Sequence, residues 1–474
     1  QMNQEFKKLF GNCTPTLPLK DSGNIVCGNA TRLDWQKVCP KNDGDEIYIL
    51  GNPPYLGYSL QTTEQKNEIE SLFSSVTNRF KELDYISCWF YKGTTYIKEF
   101  NSKMALVTTN SINQGEQVSM LWPVIFLNNI EINFAYKSFK WSNNAKSNAG
   151  VTVSIIGLRN KNAQVKYLFQ NDLKKEVKNI NAYLIESENI IIEGRTKPLS
   201  KLSKMVLGSM AKDDGNLFLN QEEKEILLNE YPESSKYIKK TLGSDELIKG
   251  IDKWCLWIED KDLENARKIS IINDRFEKVS LFRAKSKALS TSEYAKYPNR
   301  FKQRTHKNTN SVIVPRVSSE RRKYIPTDFL SNDIVVKDSA YAIYDADLVT
   351  FSVITSYIHM VWMKTFAGRL ETRYRYSSAL VYNTFPFPKI TQSQKEKIEE
   401  LVNIILDERD KEYLKTLAEL YDPNKMPEGL KKAHENLDLY IESIYRDKPF
   451  SSDEERLEYL FKLYEKMIKE EKQK

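Results

Sequence analysis

The chain has 474 residues, 40% hydrophobic and 28% charged, with a formal net charge of +7. That length supports two or three domains with their own cores, and the composition excludes a disordered or low-complexity chain. No apolar run approaches a membrane span and no basic-then-apolar leader opens the sequence. The five cysteines (Cys13, Cys27, Cys39, Cys88, Cys255) are odd in number and contain no CxxC pair. They point to reduced thiols in a cytoplasm rather than to a disulfide frame or a zinc site.

In chain order, "NIVCGNATRLDW" (24–35) and "EIYILGNPPY" (46–55) each hold a short β-branched apolar run ending in Gly-Asn. Both are predicted as buried parallel strands with polar loops at their carboxyl ends. Helical spacing follows from Glu64 to Phe100, then a strand over "KMALVTTNS" (103–111) and a helix around "VSMLWPVIFLNN". "IEINFAYKSF" (130–139) and "GVTVSIIGL" (150–158) are expected to close the sheet as an antiparallel pair. This alternation predicts an α/β open sheet over residues 1–165, with ligands outside the carboxyl ends of its strands. Residues 166–195 are expected to be a connector, and 196–390 an aromatic-rich α+β domain holding "SVIVPRVSS" and "DIVVKDSAYAIY". From 391 to 474 the pattern is helical, with amphipathic runs free of glycine and a capping signature at Ser-Ser-Asp-Glu-Glu.

The stretch "GNPPYLG" carries the most chemistry. Pro53 and Pro54 fix their φ and remove two N–H groups, so the chain must leave the strand as a stiff loop rich in acceptors. The Asn52 carboxamide oxygen and the Pro53 carbonyl are then two acceptors held at a strand end. Such a pair suits the exocyclic amine of a planar base, whose lone pair is delocalised into its ring. Gripping the two amine hydrogens turns the nitrogen toward tetrahedral geometry and aims the lone pair at an electrophile. Tyr55 offers a flat face against which an extruded base stacks, worth roughly 1–3 kcal/mol. An ordinary surface turn is the alternative, and the preceding apolar strand argues against it.

Asn-Pro-Pro-Tyr at 52–55 resembles the catalytic motif of amino-methylating DNA methyltransferases that use S-adenosylmethionine. The wider chain resembles the MmeI-like (type IIL/IIG) family of single-chain restriction–modification enzymes. The likeness rests on "CGNATRLDW", "GNPPYLG", "KSFKWSNNAKSNAGVTVSIIGL", "KWCLWI" and "VPRVSSERRKYIP", and continues through "HMVWMKTFAGRLETRYRYSSALVYNTFPFP" to "LYDPNKMPEGLKKAHENLDLYIESIYRDKPFSSDEERLEYLF". It implies a partial class I, Rossmann-like methyltransferase sheet, a target-recognition domain and a helical C-terminal region in a bacterial cytoplasmic enzyme. By the same likeness Asn52, Pro53, Pro54 and Tyr55 handle a flipped adenine. Phe139 or Trp141 supplies a second stacking ring, with core packing as the rival role for either. Asn29 meets the cofactor's adenine, or else is a turn residue.

The chain departs from that family in one respect. No two of its 17 glycines are two residues apart, so the glycine-rich cofactor loop is absent. The expectation is a fragment, or half of a split enzyme, whose partner carries that loop and the nuclease; no metal cluster is expected in this chain. The first reading is therefore the catalytic and specificity portion of an N6-adenine DNA methyltransferase. The second is a DNA-specificity fragment without activity of its own, and a methylase of RNA or protein amines is a third.

Charge places the DNA contacts. Between Arg283 and Lys323 twelve basic residues face two acidic ones, while the rest of the chain is slightly acidic. Such a block is the footprint expected for a polyanion, and a solvated basic face is the alternative. Lys285, Lys287, Lys296, Lys302 and Lys307 are phosphate candidates, with Arg283, Arg304 and Lys323 in the same DNA-facing set. Arg316, Ser318, Arg321 and Arg322 form a tighter group after a strand, where an arginine can read guanine. Arg373 and Arg375 in "ETRYRYSS" alternate with tyrosine as a backbone-contacting edge.

Overall fold

The computed structural model describes residues 8, 9, 11, 24–140, 152–170, 173–370 and 372–473. Its first unit is built on a six-stranded mixed sheet. The strands are β1 (Ile47–Gly51), β2 (Ser102–Thr109), β3 (Ile130–Lys140), β4 (Thr152–Asn160), β5 (Lys166–Gln170) and β6 (Leu173–Val177), in the order β1-β2-β4-β3-β5-β6. β1 and β2 run parallel, and the crossover between them holds helices α1 (Thr63–Phe73) and α2 (Ser87–Ile97). Thr62 and Gln65 form a reciprocal capping box that starts α1. Helix α3 (Gly115–Phe126) buries Val118, Leu121, Trp122 and Ile125, the three- and four-residue spacing of one helix face. β3 and β4 pair antiparallel, as their sequence pattern predicts.

Two expectations change. Residues 24–34 form no strand; they run as irregular chain and turns into a short helix, Trp35–Val38, capped by the Asp34 side chain. Ile25 is 96% exposed. A β-branched run becomes a strand only beside a partner ladder, and among the described residues β1 is paired on one side only, by β2. The stretch 166–195 is more than a connector, because β5 and β6 extend the first sheet before the chain crosses over.

The middle unit holds two four-stranded sheets and one of three strands. Its strands are β7 (Met205–Leu207), β8 (Phe218–Leu219), β9 (Ile238–Leu242), β10 (Trp254–Leu256), β11 (Ser311–Pro315), β12 (Val317–Ser318), β13 (Asp328–Leu330), β14 (Val335–Val336), β15 (Ala340–Tyr344), β16 (Gly368–Leu370) and β17 (Arg373–Arg375). The sheets run β14-β9-β10-β8, β13-β11-β15-β7 and β12-β17-β16. Helices α4 (Ser270–Ala284), α5 (Leu348–Thr355) and α6 (Tyr357–Phe366) pack around them. The last unit is helical: α7 (Gln392–Asp410), α8 (Glu428–Tyr445) and α9 (Asp453–Lys472), the last capped by Ser452.

One apolar cluster runs through all three units, from Phe73 and Trp122 through Trp362 and Phe366 to Phe461 and Tyr464. Trp362 lies 4.3 Å from Phe366 and 6.0 Å from Phe461, ring to ring. A buried polar seam reinforces the second junction. Asp438 on α8 accepts from the Tyr324 hydroxyl and from the Tyr357 backbone N–H, both at 2.7 Å. The His434 ring stacks on Tyr324 at 4.2 Å. Orphaned polar groups in such a seam are expensive, so these bonds fix how the helices sit on the middle unit.

Candidate active site and nucleic-acid interface

β1 delivers the Asn-Pro-Pro-Tyr loop to the surface. Gly51 is in register with Leu106 of β2, so the loop leaves the sheet at the end where residues 110–113 follow β2. Pro53 is buried, while Asn52 and Pro54 are exposed. No hydrogen bond among the described residues engages the Asn52 carboxamide, which faces solvent. Tyr55 is half-buried and packs on the edge of the apolar cluster. Neither side chain is sealed in the core.

The end of the loop is held tightly. Leu56 donates its N–H to Asp84 Oδ1 at 3.0 Å. Its carbonyl accepts from Gln61 Nε2 at 2.8 Å and from the Tyr85 N–H at 3.1 Å. On the other side lies an apolar groove of about 790 Å³ whose walls include Trp35, Ile49, Pro53 and Trp89, with Asn52 at its rim.

Asn29 sits in a turn that its own side chain closes. Its Oδ1 accepts from the Thr31 N–H at 2.9 Å and from the Thr31 hydroxyl at 2.8 Å. Its Nδ2 donates to Glu68 at 2.9 Å, and the same amide lies against the Tyr85 hydroxyl. Glu68 is the hub of this corner, accepting also from Thr31, Arg32 and the Tyr85 hydroxyl. Phe139 lies on the exposed end of β3, in register with Val153, which in turn pairs with Thr109 at the end of β2. Trp141 lies outside the described residues.

The first and middle units enclose a cleft of about 710 Å³ that takes in Tyr58 and the residues following β2. Asn110, Gln114 and Gln117 line one wall, and Arg316, Arg369 and Arg375 the other. A second cleft, of about 750 Å³, continues from it past Arg316, Ser318, Arg322, Lys337, Arg373 and Arg375. The three-stranded sheet β12-β17-β16 supports this ridge of arginines. Arg316 is steadied by donating to the Asp338 carbonyl at 2.9 Å, and Arg369 lies 3.9 Å over the Tyr374 ring. Burial pulls the pKa of Arg322 down, and its Nε finds no partner among the described residues. Ser318 is buried beneath it, with its hydroxyl 3.5 Å from Arg322 Nη1.

Several members of the basic block are not free for DNA. Arg283 is 0% exposed and donates to the carbonyls of Ala211, Lys212, Tyr297 and Arg300 at 2.7–2.8 Å. It is a structural strut, and the sequence-based DNA role is withdrawn. Arg304 stacks on Trp257, pairs with Glu259 at 2.9 Å and donates to the Ile258 carbonyl. Lys323 turns to the helical unit, 3.5 Å from Glu435. Lys285, Lys287 and Arg321 are exposed but line neither cleft. Arg369 was missed because, although its contacts to Thr372 and Tyr374 are local, the cleft it lines is completed by residues distant in sequence such as Asn110 and Arg316. Among the described residues no cluster could hold a metal ion, and no helix is long and apolar enough to cross a membrane.

Comparison with known proteins follows the same division of the chain. Residues 1–170 match the family described as "MmeI, DNA-methyltransferase domain". Residues 186–389 match "MmeI, target recognition domain", and 390–470 "MmeI, C-terminal domain". A curated relative, DNA methyltransferase A of Bacillus subtilis (strain 168), is 47% identical over 470 residues. That match takes in 98% of this chain but 53% of the relative. A solved structure of the Type IIL restriction-modification enzyme MmeI in complex with DNA superposes with a TM-score of 0.91 at 37% identity. It is matched by 99% of this chain, which spans 63% of its length. With a stiff acceptor loop at a sheet end, an arginine-lined cleft between the first and middle units and all three domain matches in order, the chain belongs to the MmeI family.

Proposed function

We propose that this chain is the adenine-handling and target-reading portion of a site-specific DNA N6-adenine methyltransferase within a restriction–modification enzyme. The observation that carries the reading is the Asn52 carboxamide: exposed, without a hydrogen-bond partner among the described residues, on a proline-stiffened loop at the carboxyl end of β1. An amide held open on a rigid loop is a binding group rather than a fold-stabilising one.

In this reading the arginine-lined clefts hold duplex DNA by its phosphates, with Arg373 and Arg375 on the backbone and Arg316 and Arg322 as the candidates for base-edge contacts. The adenine leaves the stack and lies against Tyr55. Phe139 or Trp141 is the candidate for its other face. The Asn52 carboxamide oxygen and the Pro53 carbonyl accept the two N6 hydrogens, and the nitrogen lone pair is directed outward. Because both acceptors are preset, they stabilise the charge that develops on nitrogen without reorganising.

S-adenosylmethionine would supply the electrophilic methyl group. The groove beside Asn52 fits its apolar half, with Trp35, Trp89, Ile49 and Pro53 as walls for a purine ring. Among the described residues that groove offers no set of donors and acids for the cofactor's ribose and amino-acid end. Those contacts fall to a further segment, of the kind that fills out the longer relatives.

The test is transfer of labelled methyl groups to duplex DNA by this chain, alone and with an upstream methyltransferase half, followed by nucleoside analysis. The expected product is N6-methyladenine, formed in the complemented reaction and lost in Asn52→Ala. Methylcytosine as the product, or full activity in Asn52→Ala, would overturn the proposal.

A further inference from the structure

Among the described residues, the carboxylate of Asp84 has no role in any binding surface, yet it is 7% exposed and faces no cation. A carboxylate kept in such a place needs donors, and its donors identify what it does. Oδ1 accepts from the Leu56 N–H at 3.0 Å and from the Ile86 N–H at 3.2 Å. Oδ2 stands 3.5 Å from the Ser111 hydroxyl. The Asp84 N–H donates to Gln117 Oε1 at 2.9 Å, and Gln117 Nε2 donates to the Glu82 carbonyl at 2.6 Å. Leu56 directly follows Tyr55, whereas Ser111 and Gln117 line the arginine-faced cleft. One residue thus ties the last peptide of the acceptor loop to the wall of the cleft.

We propose that Asp84 is a positioning residue that fixes the Asn52–Tyr55 loop against the DNA cleft, so that an adenine leaving the cleft meets acceptors already in place. The inference rests on the adenine-methylating reading above. The loop has few other means of being held. Its two prolines have no N–H to donate, so its fixed points are the β1 ladder before it and the Leu56 peptide after it. Asp84 and Gln61 hold that second point from opposite sides, one on the N–H and one on the carbonyl. What the geometry asks of Asp84 is an acceptor oxygen aimed at two N–H groups, and the negative charge is incidental.

That distinction makes the test. In the intact methylating enzyme, Asp84→Ala should lower single-turnover methyl transfer about 100-fold while DNA affinity changes less than twofold. Asp84→Asn keeps the Oδ1 acceptor and should restore transfer to within about fivefold of the parent. A merely structural residue would show its loss in melting temperature and DNA affinity together, without this split. If Asp84→Ala fails to fold, Gln61→Ala takes its place, with transfer falling about 10-fold at unchanged affinity. Asp84→Asn as inactive as Asp84→Ala, or loss of affinity matching loss of rate, would overturn the positioning role. Asn52→Ala is the control. If it is inactive while Asp84→Ala is fully active, only this inference fails; if it is fully active, the underlying reading fails.

Discussion

Gly115, the first residue of α3, meets Gly368, the first residue of β16, backbone to backbone: a Cβ on Gly115 would stand 3.6 Å from the Gly368 Cα. This approach brings together two residues that line the main cleft, one from each unit. Gly115 holds a φ of +59°, a left-handed conformation that other residues enter at a cost of about 1–2 kcal/mol. Gly115→Ala fits the space and should still lose about that much stability. Gly368→Ala, with open space around its Cβ and no positive φ, should lose little. Chemical denaturation of the two variants checks the contrast; equal losses would mean that the left-handed turn is not the constraint.

Arg283 belongs to the fold, and its removal should show that. Arg283→Ala takes the donor from the Lys212 and Arg300 carbonyls, while those of Ala211 and Tyr297 keep a backbone N–H; each orphaned carbonyl costs about 1–3 kcal/mol before relaxation. Urea unfolding should show a loss of at least about 3 kcal/mol. Lys285→Ala, on the exposed turn after α4, should be stable to within about 0.5 kcal/mol. A stable Arg283→Ala protein with weakened DNA binding would return Arg283 to the interface.

The arginine ridge predicts a salt signature. Arg369→Ala and Arg375→Ala should each weaken DNA binding across sequences, with the slope of log K against log salt falling by about one. Arg304→Ala, whose guanidinium is engaged by Glu259 and Ile258, should leave that slope unchanged. Titration by fluorescence anisotropy at several salt concentrations separates the two groups.

Asp438 makes the junction of the helical unit sensitive to pH. Burial pushes its carboxyl up to about 7, against the two hydrogen bonds it accepts, from an ordinary value of 3.8. Between those values the folded chain holds a proton that the unfolded chain has released. This carboxyl therefore contributes a loss of stability as pH rises from about 4 to about 7, and nothing further above that. The slope is at most about 1.4 kcal/mol per pH unit. Asp438→Asn should flatten the pH dependence of unfolding in that window; an unchanged slope would place the titration elsewhere.

What the sequence could and could not reveal follows from the range of each interaction. The acceptor loop was legible because proline constrains its own φ whatever surrounds it. The pairing of 130–139 with 150–158 was legible because strand alternation is local. The run Ile25–Val26 misled because a β-branched pair looks the same whether or not a neighbouring strand exists. The basic block misled because counting charges ignores their partners: Arg283, Arg304 and Lys323 are each claimed by groups from other elements. The cleft was invisible because Val317–Ser318, Gly368–Leu370 and Arg373–Arg375 become one ridge only after folding. Asp84 left no trace, since its two N–H partners mean nothing until the loop lies beside it.

The outer side of β1 has a consequence for handling the protein. Among the described residues no strand pairs with the main-chain donors and acceptors there, beside Leu50, which is 78% exposed, and Tyr48. Such a border is adhesive: it accepts any extended segment of suitable register, including a second molecule of the same kind. Concentrated samples should drift toward assemblies zipped along this seam, and a matching strand supplied in trans should keep them dispersed.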